Sequence, residues 1–276
     1  MKDGVRVLVL ADLIFVALLS LSGSVRGVLG DIVYYLAFLG PLAVGIYGAK
    51  RLKKSREEQK GLAELTPSYF KLNRKSAIRF LPFIFPVVAL TLLISLFTSL
   101  VMGLFGFTPP EVPVTSLFEM LLIHALIPAF TEELVFRLLP LLLLLPYSPR
   151  YCVIISSLTF ALCHVDIFKL PYAFAAGLAL IFVDVAAGSV IPSIILHFVN
   201  NAVSVLLLAT DESFTLPLIV TLVLLSLVSL AFIFVRRNDH KKDFREAMKR
   251  GEGFAGGREI GAITALCLFV SLTALL

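Results

Sequence analysis

Apolar runs long enough to cross a bilayer recur through most of this chain. A membrane-spanning helix needs about 20 predominantly apolar residues. Runs of that kind fall near residues 7–22, 31–49, 80–105, 115–145, 151–168, 171–187, 190–209, 216–235 and 260–276. With no water in the hydrocarbon core, the backbone must satisfy its own hydrogen bonds, and a helix does so within one segment. The fold class expected is therefore all-α, a polytopic integral-membrane bundle of about eight or nine transmembrane helices. Composition agrees: 59% of residues are hydrophobic and the mean hydropathy is +0.97, against roughly 45–50% apolar residues in soluble domains. No polar stretch is long enough to build a core of its own. Residues 1–276 read as one membrane domain with its central helices at about 115–209.

The charges sort the topology. Of 24 Lys and Arg, 10 lie in 50–79 and 8 in 236–258. Basic residues gathered in loops between spans mark the cytoplasmic face, and they suit an anionic lipid surface. Two spans precede the first basic loop and six separate it from the second. Both loops and the N-terminus then share one face, so a multi-pass cell-membrane protein with these parts cytoplasmic is expected. The net charge of +5 is explained by these loops, and no nucleic-acid partner is expected. Cys152, Cys163 and Cys267 lie in apolar runs, an odd number that makes a poor disulfide framework and reads as packing. The N-terminal run resembles a signal peptide without a convincing cleavage site and is read as a retained helix.

Within this apolar background stands Thr131-Glu132-Glu133-Leu134-Val135-Phe136-Arg137. A charge at bilayer depth costs about 2.5–3.5 kcal/mol on insertion scales, so three together need a reason. Glu133 and Arg137 are four apart, share a helix face and can pair. That pair reads equally as a packing device or as support for chemistry. Glu132 points about 100° away around the axis and has no such partner. An unpaired carboxylate in a low-dielectric cavity suits a general base near neutral pH. Pro128 in the same run is expected to kink the helix or split it.

Two histidines occupy later runs, in Phe160-Ala161-Leu162-Cys163-His164 and His197-Phe198-Val199-Asn200-Asn201. His197 and Asn201 share a face and can aim two donors at one point, as an oxyanion site requires. Either histidine alone reads as a satisfied core residue; three polar clusters in three runs favour a shared site. There is no His-Glu-x-x-His, Cys-x-x-Cys, Gly-x-Ser-x-Gly or phosphate-cradling loop. No cofactor is expected, although Glu132, His164 and His197 would make a His₂Glu zinc set. Ser193 precedes His197 by one turn, but no aspartate is evidently placed to complete a serine mechanism. Glu119, His124 and Asp184 read as pore-lining or packing, and Asp166 as reaching the interface.

These residues carry a family resemblance. Glu132-Glu133-x-x-x-Arg137, Phe160-x-x-x-His164 and His197-x-x-x-Asn201, with Phe174, Gly177, Gly188-Ser189 and Pro192 between them, resemble the CAAX prenyl endopeptidase and bacteriocin-processing family of integral-membrane proteases. The resemblance covers about 131–201. It implies an intramembrane endopeptidase in which Glu132 and His164 activate water, His197 and Asn201 form the oxyanion site, and Glu133 and Arg137 support them. The substrate implied is a prenylated Cys-a-a-X tail or another peptide, met at the membrane lipid. The family often has Gly after the motif arginine; here it is Leu138.

Two other readings stay open: a non-catalytic scaffold or peptide-binding immunity protein of the same fold, and a transporter with a carboxylate relay. The transporter lacks the expected inverted repeat and broken helix pairs. The sequence leaves the oligomeric state open. It also leaves a geometric difficulty. With straight helices, His197 lies about 10 Å and His164 about 20 Å from the same face, too uneven for one site.

Overall fold

The computed structural model describes residues 2–25, 28–60, 69–71, 80–106, 116–164 and 169–249. Among them are nine helices and no strand. They are α1 (Lys2–Ser24), α2 (Val28–Lys60), α3 (Ile84–Leu104, entered through a 3-10 turn at Leu81–Phe83), α4 (117–143), α5 (Pro149–Leu162), α6 (Leu170–Ala187), α7 (Ile191–Ala209), α8 (Glu212–Val235) and α9 (Arg237–Lys249). Among the described residues six helical stretches are long and apolar enough to cross a membrane: Asp3–Ser22, Ile32–Leu52, Leu81–Leu104, Leu170–Ala187, Ile191–Ala209 and Ser213–Val235. The all-α polytopic bundle is as the sequence implies. The span expected at 260–276 lies outside the described residues.

The helix α4 differs from expectation in an instructive way. Pro128 neither splits nor ends it. Wide π turns occupy Leu122–Leu126 and Leu134–Leu138, each followed at once by a short α segment with a proline in its first turn, Pro128 and Pro140. A proline has no N–H for the carbonyl four residues back, and its ring crowds that carbonyl. Widening the preceding turn absorbs the misfit. The carbonyl freed by Pro140 is that of Phe136. It accepts from the Ser156 hydroxyl of α5 and from Arg137 Nη1 at 3.1 Å. The orphan group thus finds partners, as burial demands.

A second difference concerns α5. The sequence suggests a span over 151–168, but α5 stops at Leu162 after 14 residues, about 21 Å at 1.5 Å per residue. The reason lies in His164, whose Nδ1 bonds the Phe160 carbonyl at 2.7 Å. The backbone N–H of His164 turns to Ala161 O instead. The side chain has taken the acceptor that the next helical bond would use.

One end of the bundle gathers several pieces distant in sequence. Glycine is required at position 4, since a Cβ there would run into the Leu143 carbonyl, so the start of α1 lies at the end of α4. Tyr69, from the first basic loop, bonds both Leu141 and the turn joining α6 to α7. The ring of His240 in α9 stands edge-on to Phe83 at the start of α3, centroids 5.2 Å apart. The N-terminus, both basic segments and the α6–α7 turn therefore share one face, as span parity requires. The α6–α7 turn itself depends on Gly188, left-handed at φ 67°, which closes α6 through its N–H to Asp184 O at 2.7 Å.

The buried core joins α1 to α4, α5 and α6 through Leu8, Leu139, Leu141, Ile155 and Ile181, with Leu42 and Ile46 of α2 packed against it. A second cluster packs Phe15, Phe38, Phe136 and Phe160, with Phe15 edge-on to both Phe38 and Phe136. At Gly177, α6 comes so close to α5 that a Cβ would touch the Ser157 backbone at 3.0 Å. That close approach holds α5 and α6 together beside the polar centre.

Candidate active site

The polar centre lies where α4, the end of α5 and α7 meet. Glu133 and Arg137, on α4, are both fully buried and form the ion pair that their spacing predicts, Nε to Oε2 at 3.2 Å. The other carboxylate oxygen, Glu133 Oε1, receives Nδ1 of His197 from α7 at 2.7 Å. A carboxylate facing a guanidinium accepts, so Nδ1 is the nitrogen that carries hydrogen. Glu133 thus ties α4 to α7 and fixes the imidazole plane. Its neighbour Glu132 turns elsewhere. The Glu132 side chain is 18% exposed, and its Oε2 lies 3.9 Å from His197 Nε2. That gap is too long for a hydrogen bond, and this oxygen has no hydrogen-bond partner among the described residues. The expectation of one paired and one unpaired glutamate matches the geometry.

His164 follows the C-terminus of α5. With Nδ1 given to Phe160 O, its neutral form keeps a lone pair on Nε2. Phe160 is the apolar hub of the centre. Its ring stands edge-on to His164 at 4.8 Å and to His197 at 5.7 Å, and Arg137 Cζ sits 4.2 Å above it. A guanidinium on an aromatic face contributes about 0.5–2 kcal/mol. The uneven depth expected of the two histidines does not keep them apart: both rings meet the ring of Phe160.

Asn201 lies one turn beyond His197. Its Oδ1 accepts from Asn200 Nδ2 at 3.3 Å, leaving its amide NH₂ as the free end. Asn200 Oδ1 in turn accepts from the Thr91 hydroxyl of α3 at 2.6 Å. Two helices, α3 and α7, therefore contribute to the orientation of one amide.

Some residues fall elsewhere. Glu119 and His124 are exposed, and Asp166 lies outside the described residues. Asp184 is fully buried and does reach Ser193, but through the backbone and not in a way that completes a serine mechanism. Its Oδ1 accepts the Ser193 backbone N–H at 3.0 Å, while the Ser193 hydroxyl donates to Val190 O at 2.9 Å. This fastens the start of α7 to α6 and builds no nucleophile. Among the described residues no group of three His, Cys, Asp or Glu side chains is placed to hold a metal ion. Thr91, Asn200 and Ser156 were not anticipated. Only the Asn200-Asn201 doublet offered a signal, since an apolar run has little cheap use for two amides.

The fold and this centre define a class, a multi-pass helical membrane protein with a Glu, Arg and His cluster buried among its helices. Residues 113–203, about a third of the chain, match the family model described as type II CAAX prenyl endopeptidase Rce1-like. The match bears out the family resemblance carried by the motifs, and it supports a CAAX-type intramembrane protease in general. No curated protein and no solved structure matches the chain.

Proposed function

We propose that the protein is a glutamate-dependent intramembrane endopeptidase that cleaves near the C-terminus of prenylated Cys-a-a-X tails. The single observation that carries this reading is the division of labour between the adjacent carboxylates. Glu133 is consumed by Arg137 and His197, while Glu132 is left partly open beside the second nitrogen of His197. A water touching both Glu132 and His164 gives its proton to this pair as its oxygen attacks the scissile carbonyl carbon. The oxyanion formed takes hydrogen bonds from His197 Nε2–H and the Asn201 amide. Glu133, backed by Arg137, stabilises the imidazolium that such a donor requires. Collapse of the intermediate breaks the C–N bond, and the proton held on Glu132 and His164 goes to the departing amine. No covalent enzyme intermediate and no cofactor enter this scheme.

The basic face is read as cytoplasmic on the positive-inside rule. A lipidated tail would enter sideways from the bilayer while its peptide comes from water. The test is cleavage of a fluorogenic farnesylated Cys-a-a-X peptide by the purified protein, beside Glu132→Ala and with a strong chelator. Cleavage lost in the variant and untouched by chelator is expected. Loss with chelator and recovery with zinc would replace this reading with a metal-dependent one. A folded wild type that cleaves nothing would overturn the prenyl-substrate reading and favour a non-catalytic scaffold.

A further inference from the structure

Two helices carry the two halves of the centre, α4 with Glu132, Glu133 and Arg137, and α7 with His197 and Asn201. Each has an unfinished end on the same face of the bundle. In the last turn of α4, Leu145 N–H bonds Pro140 O at 3.2 Å rather than Leu141 O, which leaves the Leu141 carbonyl outside the helical ladder. At the start of α7, Val190 is the N-cap and its N–H has no acceptor within that helix. Both groups find the same residue. The Tyr69 hydroxyl donates to Leu141 O at 3.3 Å, and the Tyr69 carbonyl accepts from Val190 N at 2.8 Å. The Ser189 hydroxyl reinforces the second bond, donating to Tyr69 O at 3.0 Å while accepting from Ile191 N–H at 3.2 Å. Tyr69 is buried in the same apolar cluster as Leu138, Leu141, Tyr151 and Val185.

We infer that Tyr69 is a positioning residue, a clamp from the first basic loop that sets the register of α4 against α7 and so the distance between Glu132 and His197. It bridges segments 72 and 120 positions away in sequence. Backbone groups freed in a low-dielectric setting cost more than in water, so losing Tyr69 loosens both helix ends together. The catalytic consequence rests on the protease reading above; the clamp itself does not.

The test uses the full-length protein in detergent and reads hydrogen–deuterium exchange for wild type, Tyr69→Ala and Tyr69→Phe. In Tyr69→Ala, peptides covering 139–147 and 186–194 exchange roughly tenfold faster, as expected for lost buried hydrogen bonds, while α8 peptides stay unchanged. In Tyr69→Phe only the 139–147 peptide responds, because the buried ring remains and still holds the backbone carbonyl against Val190. Unchanged exchange, a response at one end in Tyr69→Ala, or acceleration throughout the molecule would each overturn the clamp. With cleavage established for wild type, Tyr69→Ala lowers kcat up to about 100-fold at unchanged KM, the scale of a displaced catalytic group, and Tyr69→Phe recovers part of it. Loosened helix ends with unchanged kcat would overturn the positioning role. A wild type without cleavage removes the protease reading alone and leaves the exchange result to decide the clamp.

Discussion

Helices α7 and α8 are consecutive, similar in length, and both apolar enough to span, with mean hydropathies of 1.8 and 3.0 over their candidate spans. Hydropathy separates neither from a generic membrane helix. Their polar side chains do. Along α7, His197 reaches Glu133 of α4, Asn200 reaches Thr91 of α3, and the Ser193 backbone reaches Asp184 of α6. Along α8, Ser226 bonds only back to Leu222 O of its own helix, at 2.7 Å, and most of its apolar side chains are exposed. In hydrocarbon, association gains nothing from burying apolar surface against lipid. A helix whose polar groups go to other helices is therefore held in a defined place, and one whose polar groups bond to themselves has no such constraint.

Substitutions can break or sharpen this contrast. The largest effect is expected at Glu132, where Glu132→Ala lowers the cleavage rate by about 100- to 10,000-fold, read as kcat. Arg137→Met strands a fully buried carboxylate and costs about 3–5 kcal/mol of stability, read by unfolding in mild detergent. Asn201→Ala removes one proposed oxyanion donor and lowers kcat by about 100- to 1,000-fold, with little change in melting temperature. The smallest effect belongs to α8. Ser226→Ala, which loses only a bond to its own helix, stays within about 0.5 kcal/mol and leaves cleavage as it is. A large loss there would erase the distinction between the two helices.

The sequence made the outline of the centre legible because rare charges in apolar runs carry a heavy cost and seldom occur without purpose. Glu132, Glu133, Arg137, His164, His197 and Asn201 all announced themselves in this way, and helical spacing alone separated the paired glutamate from the unpaired one. Other features depend on partners far along the chain. Thr91 reads as an ordinary back-bonded threonine, and the Val87 and Val88 carbonyls do lie within reach of its hydroxyl, whose one proton they share with Asn200 Oδ1. Tyr69 acts partly through its carbonyl, which every residue possesses, so no residue type could signal it. The prolines of α4 were visible, but whether a freed carbonyl breaks a helix or widens it depends on a donor such as Ser156 being nearby. The early end of α5 was hidden because the run continues apolar through Ile167 and Phe168.

The central claim is that two glutamates adjacent in the chain do different work. The most direct measurement determines cleavage and melting temperature together for Glu132→Gln and Glu133→Gln in the same detergent. Glu132→Gln should abolish cleavage of the farnesylated peptide and melt close to wild type. Glu133→Gln, which weakens the link to both Arg137 and His197, should melt well below it. A Glu132→Gln protein that cleaves like wild type, or a Glu133→Gln protein that is inactive yet as stable as wild type, would contradict the account.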